Sequence, residues 1–359
     1  ETPYNVPPYT GGYTTFMKVS TMQNAHTTLP SWATHVVAHE LHHSIQLRYG
    51  YSTSGEPGNY MHNAWFFEQS ATYMENMIFP NANHLQLMLN NCSVVTPLTY
   101  PNYSIDYPSS IYPYRSALWQ KFLVESLGDS SIIRLLWEDY GTRYATGDPV
   151  SLFPIYDNAI KQVTNNDKDL SDAYNDYSIW RYFTGDRSIN DMFFNESFAY
   201  CTATSISNFD NTFILPSNKG ASSYIQLPSE NMNLFIETEF FDDLSFVHLM
   251  INENNYFNLT DLYPQNNQIT FNINSNYENT LLINSKYNGA NSIDLVFSIS
   301  ESDLDIPGDL NGDDLLNILD VVLLVEIVLI EEYYNSGDIN TDDEINILDV
   351  VLLVNIILS

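Results

Sequence analysis

The spacing of apolar and polar residues changes twice along this chain of 359 residues. Up to about residue 208, apolar positions recur every three or four residues in "SWATHVVAHELHHSIQLRYG", "AWFFEQSATYMENMIF" and "YRSALWQKFLVESLG". This period is typical of amphipathic α-helices. Gly50 and Pro80 stand where the first two helices are predicted to end.

From about residue 209 to 302 the pattern becomes short and alternating. The runs are "NLFIETEFF", "SFVHLMIN", "QITFNINS", "TLLINS" and "SIDLVFSIS", and Asn, Asp, Ser and Gly separate them. Alternation over runs of this length predicts β-strands. We expect an antiparallel β-sandwich here.

The last region, 303–359, contains an internal repeat. "GDLNGDDLLNILDVVLLVEIVL" returns as "GDINTDDEINILDVVLLVNIIL", so that residue 309 corresponds to residue 338. Each copy ends in a helix that is apolar all round, and such a helix must be buried. The two copies should therefore pack on each other and still leave surface for a partner. The predicted fold is multidomain α+β: a mainly helical region 1–208, a sandwich 209–302 and a small all-α module 303–359.

Each copy of the repeat begins with a 12-residue loop that carries oxygen-bearing side chains at positions 1, 3, 5, 9 and 12. They are Asp309, Asn311, Asp313, Asn317 and Asp320 in the first loop, and Asp338, Asn340, Asp342, Asn346 and Asp349 in the second. Position 7, Leu315 or Glu344, needs only a backbone carbonyl. Ca²⁺ takes six to eight oxygen ligands, and this spacing wraps such a set around one ion. Two calcium sites are predicted, although Asp at position 12 departs from the EF-hand.

These loops and helices give region 303–359 a resemblance to a type I dockerin, the calcium-dependent module that docks onto cohesins of scaffold proteins. The resemblance implies two structural Ca²⁺ ions and a cohesin-like partner. Loop positions 10 and 11 are Ile318–Leu319 and Ile347–Leu348. Cellulosomal dockerins typically carry small hydroxylated residues there, so a more apolar cohesin and intramolecular docking are both open.

The charge balance narrows the range of partners. The chain has 44 acidic residues against 12 Lys and Arg, a net charge of −32. Nucleic acids and anionic membrane surfaces need clustered basic residues, so neither is an expected partner. The longest apolar run, "ILDVVLLVEIVLI", is shorter than the ~18–20 residues of a membrane span. We expect a soluble protein without a membrane span.

Two further features bear on location. The two cysteines, Cys92 and Cys201, could form one bridge in an oxidising compartment. The chain starts at Glu1 without a visible signal peptide, so we expect the mature part of a longer precursor. A secreted or cell-surface protein is the expectation.

Four of the eight histidines lie in "HVVAHELHHSIQLRYG", which contains the pattern H-E-x-x-H. On a helix, His39 and His43 share a face and can bind one metal ion. Glu40 lies beside them, where it can take a proton from a metal-bound water. This pattern predicts a catalytic zinc site.

The alternative is a polar stripe on a core helix. Val36, Val37, Leu41 and Ile45 predict that the helix is buried. Two imidazoles and a carboxylate on a buried helix would be costly without a metal ion. The apolar context therefore favours the metal site.

A catalytic zinc needs three protein ligands and one open position. Gln46 and Tyr49 occupy the positions where metzincins carry a Gly and the third histidine, which excludes that class. "WFFEQSATYME" instead resembles the Trp-x-x-Glu-x-x-Ala-x-Tyr helix of aminopeptidase-N-like and related bacterial secreted metalloproteases, a gluzincin pattern.

The gluzincin resemblance implies that Glu68 is the third zinc ligand. Glu75, two turns further on, is expected to support a ligand rather than to bind the metal directly. His62 and Glu56 are the weaker alternatives for the third ligand. The intervening segment "YGYSTSGEPGNYMHN" is rich in Gly, Pro, Asn and Ser and is able to reverse the chain.

Other residues near the motif have less specific predictions. His35 could orient a ligand or extend the polar stripe. His42 is expected to point away from the metal, solvated or hydrogen-bonded locally. Tyr112, Tyr114 and Arg115 are the candidates for a donor to the tetrahedral oxyanion.

Segments "YPYRSALWQKFLVESLG" and "IWRYFTGDR" also resemble the region that follows the active site in bacterial secreted metalloproteases. Only 38 residues precede His39, and "GGYTTFMKVS" predicts at most one strand where gluzincins place a β-sheet. We expect the missing portion to lie upstream of Glu1.

The leading hypothesis is a secreted zinc metallopeptidase that acts on protein or peptide substrates and carries a dockerin. Zn²⁺ would polarise the scissile carbonyl and lower the pKa of its water toward ~7. Glu40 would accept the proton and pass it to the leaving amine. The alternatives are a non-catalytic anchoring protein with a degenerate protease domain, and a dockerin-bearing enzyme that degrades polysaccharides.

Overall fold

The computed structural model describes most of the chain. The described residues are 2–6, 9–14, 33–50, 60–108, 111–146, 151–189, 192–216, 219–252, 254–286, 292–301, 307–311, 315–330, 335–340, 342 and 344–358. Within them, helices and antiparallel sheets occur in separate stretches, so the fold is α+β.

A two-stranded antiparallel sheet precedes the first helix. Its strands are β1 (Thr2–Val6) and β2 (Tyr9–Thr14), and β2 lies against a later helix, 131–146. The segment "GGYTTFMKVS" was predicted to supply at most one strand, and β2 covers its start, whereas β1 was not predicted. The segment "TPYNV" is too short for its alternation to be recognised in the sequence.

Eight α-helices follow within the described ranges. They are α1 (Ala33–Gln46), α2 (Tyr60–Ile78), α3 (His84–Leu89), α4 (Tyr112–Arg115), α5 (Leu118–Leu127), α6 (Ser131–Thr146), α7 (Leu152–Val163) and α8 (Leu170–Tyr182). Helix α2 stops just before Pro80, as predicted, because proline cannot continue a helix. The single helix predicted over 114–128 is divided into α4 and α5, and Gly128 ends α5 in the left-handed conformation, with φ +68°.

Aromatic side chains dominate the helical core. Trp119, the second residue of α5, is fully buried against Phe122, Tyr156 and Tyr177. A disulfide between Cys92 and Cys201 joins positions 109 residues apart. Closing so long a loop restricts the unfolded chain and stabilises the fold by about 4 kcal/mol.

Among the described residues between 212 and 301, eight strands form two four-stranded antiparallel sheets. They are β3 (Thr212–Pro216), β4 (Ser222–Gln226), β5 (Met232–Glu237), β6 (Leu244–Ile251), β7 (Phe257–Leu262), β8 (Gln268–Ile273), β9 (Glu278–Ser285) and β10 (Ser292–Glu301). The orders are β3-β10-β5-β8 and β4-β9-β6-β7, and a shared apolar core that includes Leu234, Leu281 and Leu295 lies between the sheets. Five strands coincide with the predicted runs, whereas β3, β4 and β7 were missed.

The β4-β9-β6-β7 sheet is buried on both faces. Its second face packs on the helices, where Tyr224, Val247 and Leu282 join the helical core. Arg181 of α8, itself 1% exposed, donates from Nη2 to Oγ of Ser222 at 2.6 Å. The boundary predicted at 208/209 therefore divides residues that share one core.

The C-terminal repeat folds into two helices, α9 (Ile318–Ile330) and α10 (Ile347–Leu358). They pack on each other through Val321, Leu324, Val350 and Leu353. Within the described ranges, no helix combines the length and the apolarity that a membrane crossing requires.

Candidate functional site

Two antiparallel helices, α1 and α2, bring three predicted zinc ligands together. Nε2 of His39 lies 3.0 Å from Oε2 of Glu68, and Nε2 of His43 lies 3.3 Å from the same oxygen. The ligand atoms of all three side chains lie within 4.8 Å of one another. Ligand atoms of a tetrahedral zinc lie about 3.3 Å apart, which follows from bond lengths of about 2.0–2.1 Å. The donor set and its spacing fit such an ion.

The other ring nitrogen of each histidine also has a partner. Nδ1 of His39 donates to Oε1 of Glu75 at 2.6 Å, and Nδ1 of His43 donates to Oε1 of Gln46 at 2.6 Å. Gln46 is itself held, because its Nε2 donates to the backbone carbonyl of Phe67 at 2.9 Å. Such partners orient an imidazole and leave Nε2 to bind a metal.

The electrostatics of His39 reflect its two carboxylate neighbours. Burial alone would lower the pKa of His39, but hydrogen bonds to Glu68 and Glu75 outweigh it and raise the pKa to about 9. Burial would raise the pKa of Glu75, yet hydrogen bonds from His39 and His84 hold it below its usual value. Without a metal ion, a proton on His39 therefore links the two carboxylates.

The exposed and buried faces of α1 are opposite to the prediction. Val36, Val37, Leu41 and Ile45 are 38 to 49% exposed. The buried residues of α1 are Ala33, Ala38, His39, His42 and Gln46. The prediction that the apolar residues bury this helix was wrong, because α1 turns its polar face towards Glu68 and Glu75. The polar side chains buried between α1 and α2 are a stronger reason to expect a bound metal ion than the apolar residues of α1 were.

Glu40 and Tyr114 lie at the edge of this cluster. The Glu40 side chain is exposed, and it lies close enough to Tyr114 for its charge to act on that hydroxyl. The ring of Tyr114 stacks on the ring of His39, with centroids 5.5 Å apart and an angle of 15° between the rings. Burial, followed by the charge of Glu68 and a hydrogen bond to it, raises the pKa of Tyr114 to about 12. Its hydroxyl is therefore a neutral donor beside the ligands.

The other two candidates for an oxyanion donor lie elsewhere. Tyr112 is 1% exposed and its ring packs edge-on against Tyr107. A phenol buried in this way cannot reach a substrate carbonyl, so the geometry favours Tyr114 over Tyr112. Arg115 donates from Nη1 to the carbonyl of Val95 at 2.8 Å, which gives it a structural partner.

His42 points away from the ligands but is buried rather than solvated. Its Nε2 is hydrogen-bonded to Oγ of Ser70 at 3.0 Å, and Nε1 of Trp137 donates to the same oxygen at 2.9 Å. Burial, with the nearby His43 and His39, lowers the pKa of His42 to about 3. It stays neutral and fixes the packing of α1 on α2.

Two residues of the site were not anticipated from the sequence. Gln46 served there only to exclude the metzincins, yet it holds His43. His84, the first residue of α3, donates from Nδ1 to Oε2 of Glu75 at 2.6 Å. The scarcity of histidine is the signal that could have identified His84. With only eight histidines in the chain, each can be considered as a possible metal ligand or carboxylate partner. Glu56, Asp313 and the side chain of His62 lie outside the described residues.

The two C-terminal loops share one hydrogen-bond pattern around the residue at position 12. Oδ1 of Asp320 accepts from the backbone N–H groups of Leu310 and Asn311, and Oδ2 accepts from that of Asn317. In the second loop Asp349 accepts from the three corresponding groups, which belong to Ile339, Asn340 and Asn346. Both aspartates are completely buried.

The remaining predicted calcium ligands line the same loops. Asp309, Asn311, Leu315 and Asn317 lie in the first, and Asp338, Asn340, Asp342, Glu344 and Asn346 lie in the second. Asp338 is also buried, and its Oδ1 accepts from the backbone N–H of Asp342 at 3.1 Å. Region 303–359 contains 14 acidic residues and no Lys, Arg or His. Buried carboxylates without basic side chains in the same module fit a bound cation.

The helical region matches a known protein family. Residues 9–183, just under half of the chain, match a family described as "Family of unknown function (DUF6055)", and this stretch contains all the helices of the site. No curated protein matches the chain. The pre-peptidase C-terminal domain of a collagenase from Bacillus anthracis is a structural match with a TM-score of 0.21 and 18% identity, covering 26% of this chain and 97% of that domain.

Proposed function

We propose that this protein is a secreted zinc-dependent peptidase with a calcium-binding, dockerin-like module at its C-terminal end. The observation that carries the proposal is the convergence of His39, His43 and Glu68, with Nε2 of both imidazoles directed at one carboxylate oxygen. The disulfide supports an oxidising, extracytoplasmic location.

His39, His43 and Glu68 would hold the zinc ion. Bound zinc supplies Lewis acidity, which polarises a carbonyl and makes water a better nucleophile at neutral pH. The exposed carboxylate of Glu40 accepts a proton from the attacking water and passes it to the leaving amine. The hydroxyl of Tyr114 donates to the substrate carbonyl oxygen as negative charge develops there. Glu75 and Gln46 keep the two imidazoles oriented throughout.

The test measures zinc content and cleavage of a denatured protein by the full chain with its disulfide intact. Glu40→Gln should keep its zinc and lose at least about 100-fold in rate, since general-base catalysis contributes roughly 10² to 10⁴. Glu278→Gln, the same change at an exposed carboxylate in the sandwich, should leave both unchanged. A wild-type chain that binds no zinc, or is no faster than Glu40→Gln, would refute the peptidase.

The C-terminal module supports a second role, anchoring. Its helices expose matching apolar residues in both copies: Ile318, Leu319 and Val322 correspond to Ile347, Leu348 and Val351. Apolar residues clustered in this way on a small module are typical of a protein-binding surface. A cohesin-like partner fits this surface, and calcium-dependent capture of a cohesin panel tests it. If the chain binds zinc without cleaving peptides, anchoring becomes the leading function.

A further inference from the structure

A second group of potential metal ligands lies next to the first, on the same pair of helices. His35, Glu75 and His84 each offer a ligand atom, and these atoms lie within 4.8 Å of one another. The rings of His35 and His84 stack with centroids 4.2 Å apart, and Oε2 of Glu75 lies 2.6 Å from Nδ1 of His84. None of the three was assigned as a ligand of the first site.

The arrangement follows from helix geometry. His35, His39 and His43 are spaced by four residues and form one stripe along α1. Glu68 and Glu75 are two turns apart on α2 and face that stripe. Because the helices run antiparallel, Glu68 meets His39 and His43, whereas Glu75 meets the other end of the stripe. His84 of α3 completes this second group.

Hydrogen bonding within the protein leaves part of this second group unsatisfied. Nδ1 of His35 is shielded from solvent and has no hydrogen-bond partner among the described residues. A buried polar atom without a partner costs about 1–3 kcal/mol. Glu75 is 3% exposed, and the ion pairs found for it within the described ranges are with imidazoles, not with Lys or Arg. A bound cation would give His35 a partner and neutralise the buried charge of Glu75.

We propose that His35, Glu75 and His84 form a second binding site for a divalent cation of the zinc class. Two imidazole nitrogens and one carboxylate oxygen suit Zn²⁺ or Co²⁺, whereas Ca²⁺ requires oxygen ligands. The His84 side chain is 31% exposed, so solvent can reach the site and complete the coordination. The ion would take the place of the hydrogen bond between Nδ1 of His84 and Oε2 of Glu75.

The two sites are connected through one carboxylate. Oε1 of Glu75 holds Nδ1 of His39, and Oε2 is directed to the second site. A change at Glu75 would therefore disturb both sites at once. For this reason His35 and His84 are the informative positions for substitution.

The experiment uses equilibrium dialysis to count the zinc ions that the full chain binds after its metal ions have been removed. Excess Ca²⁺ is present to saturate the C-terminal loops. Wild type should bind two zinc ions, and His84→Gln and His35→Gln should each bind one. His43→Ala should also bind one, and His43→Ala combined with His84→Gln none. The absorption spectrum of the cobalt(II)-loaded protein should show two separable sets of bands. His84→Gln and His35→Gln should lose one set, and His43→Ala should lose the other.

The outcomes separate this inference from the proposed peptidase. One zinc ion in wild type, unchanged by His84→Gln and by His35→Gln, would overturn the second site and leave the peptidase untouched. A zinc count that falls in His84→Gln but not in His43→Ala would support the second site and refute the first. Far-UV circular dichroism checks that each variant folds, and two independent substitutions guard against the failure of one.

Discussion

The helical centre and the C-terminal loops both bury carboxylates, but they give those carboxylates different partners. Glu68 and Glu75 face the imidazole of His39, whose pKa they raise to about 9. Asp320 and Asp349 face backbone N–H groups, which do not titrate. The organisation of the helical centre should therefore depend on pH as well as on metal. That of the loops should depend on the cation alone.

The largest effect is expected from the loops, in Asp349→Ala. This change removes the acceptor of three backbone N–H groups and one calcium ligand, so calcium affinity of the second loop should fall roughly 10³-fold, equivalent to about 4 kcal/mol. Calorimetric titration with Ca²⁺ measures it. Glu326→Ala, at an exposed acid of α9 outside both loops, is the control. Unchanged calcium affinity would mean that Asp349 serves only to close the loop.

The corresponding change in the helical centre is Glu68→Ala. Loss of one of three zinc ligands should weaken zinc binding by more than about 100-fold, the upper range for supporting residues. Calcium binding should not change. Asp349→Ala should do the reverse and lower calcium affinity without changing zinc affinity. If either variant changed both affinities, the two regions would not be independent.

The third prediction concerns pH. The pKa of His39 is raised from 6.5 to about 9 in the folded protein, so its stabilising effect is complete below pH 6.5 and is lost as the pH rises through 9. The metal-free chain should lose on the order of 3 kcal/mol of stability across this range. Urea unfolding at several pH values measures the loss. Zinc should remove the dependence, because it takes the place of the proton, and calcium affinity should stay level over the same range.

The smallest effect is expected from Gln46→Ala. It removes the acceptor that orients His43, and zinc affinity should fall about tenfold. Gln69→Ala is the matched control, because Gln69 is equally buried in the same helix pair but bonds Ile105 and Ser116 rather than a ligand. Equal losses of zinc affinity in the two variants would mean that general packing, not orientation of His43, is responsible.

The difference between the two regions also explains which of their residues could be predicted from the sequence. The loop residues lie within 12 positions of one another, so their spacing alone revealed both loops. The helical centre draws on α1, α2 and α3, and only its H-E-x-x-H part is local. Glu68 was found through a resemblance, whereas His84 was missed because no local spacing relates it to Glu75.

Hydrophobic periodicity predicted the helices but not which face of α1 is buried. Leu41 and Ile45 are exposed while Gln46 is completely buried, because the partner helix presents carboxylates and a backbone carbonyl rather than apolar side chains. In the sandwich, β4 is buried along four of its five residues and includes two serines, so its sequence shows neither alternation nor a continuous apolar run.

The double burial of the β4-β9-β6-β7 sheet has a practical consequence for dissecting the molecule. A fragment ending at residue 208 would lack Ser222, which accepts a hydrogen bond from the guanidinium of Arg181. It would also lack Tyr224, so the aromatic side chains that pack around this residue would be exposed to solvent. We expect such a fragment to aggregate, whereas one ending at residue 301 should express as a stable unit. Recombinant work on the helical region should therefore keep the sandwich attached and shorten the chain only after it.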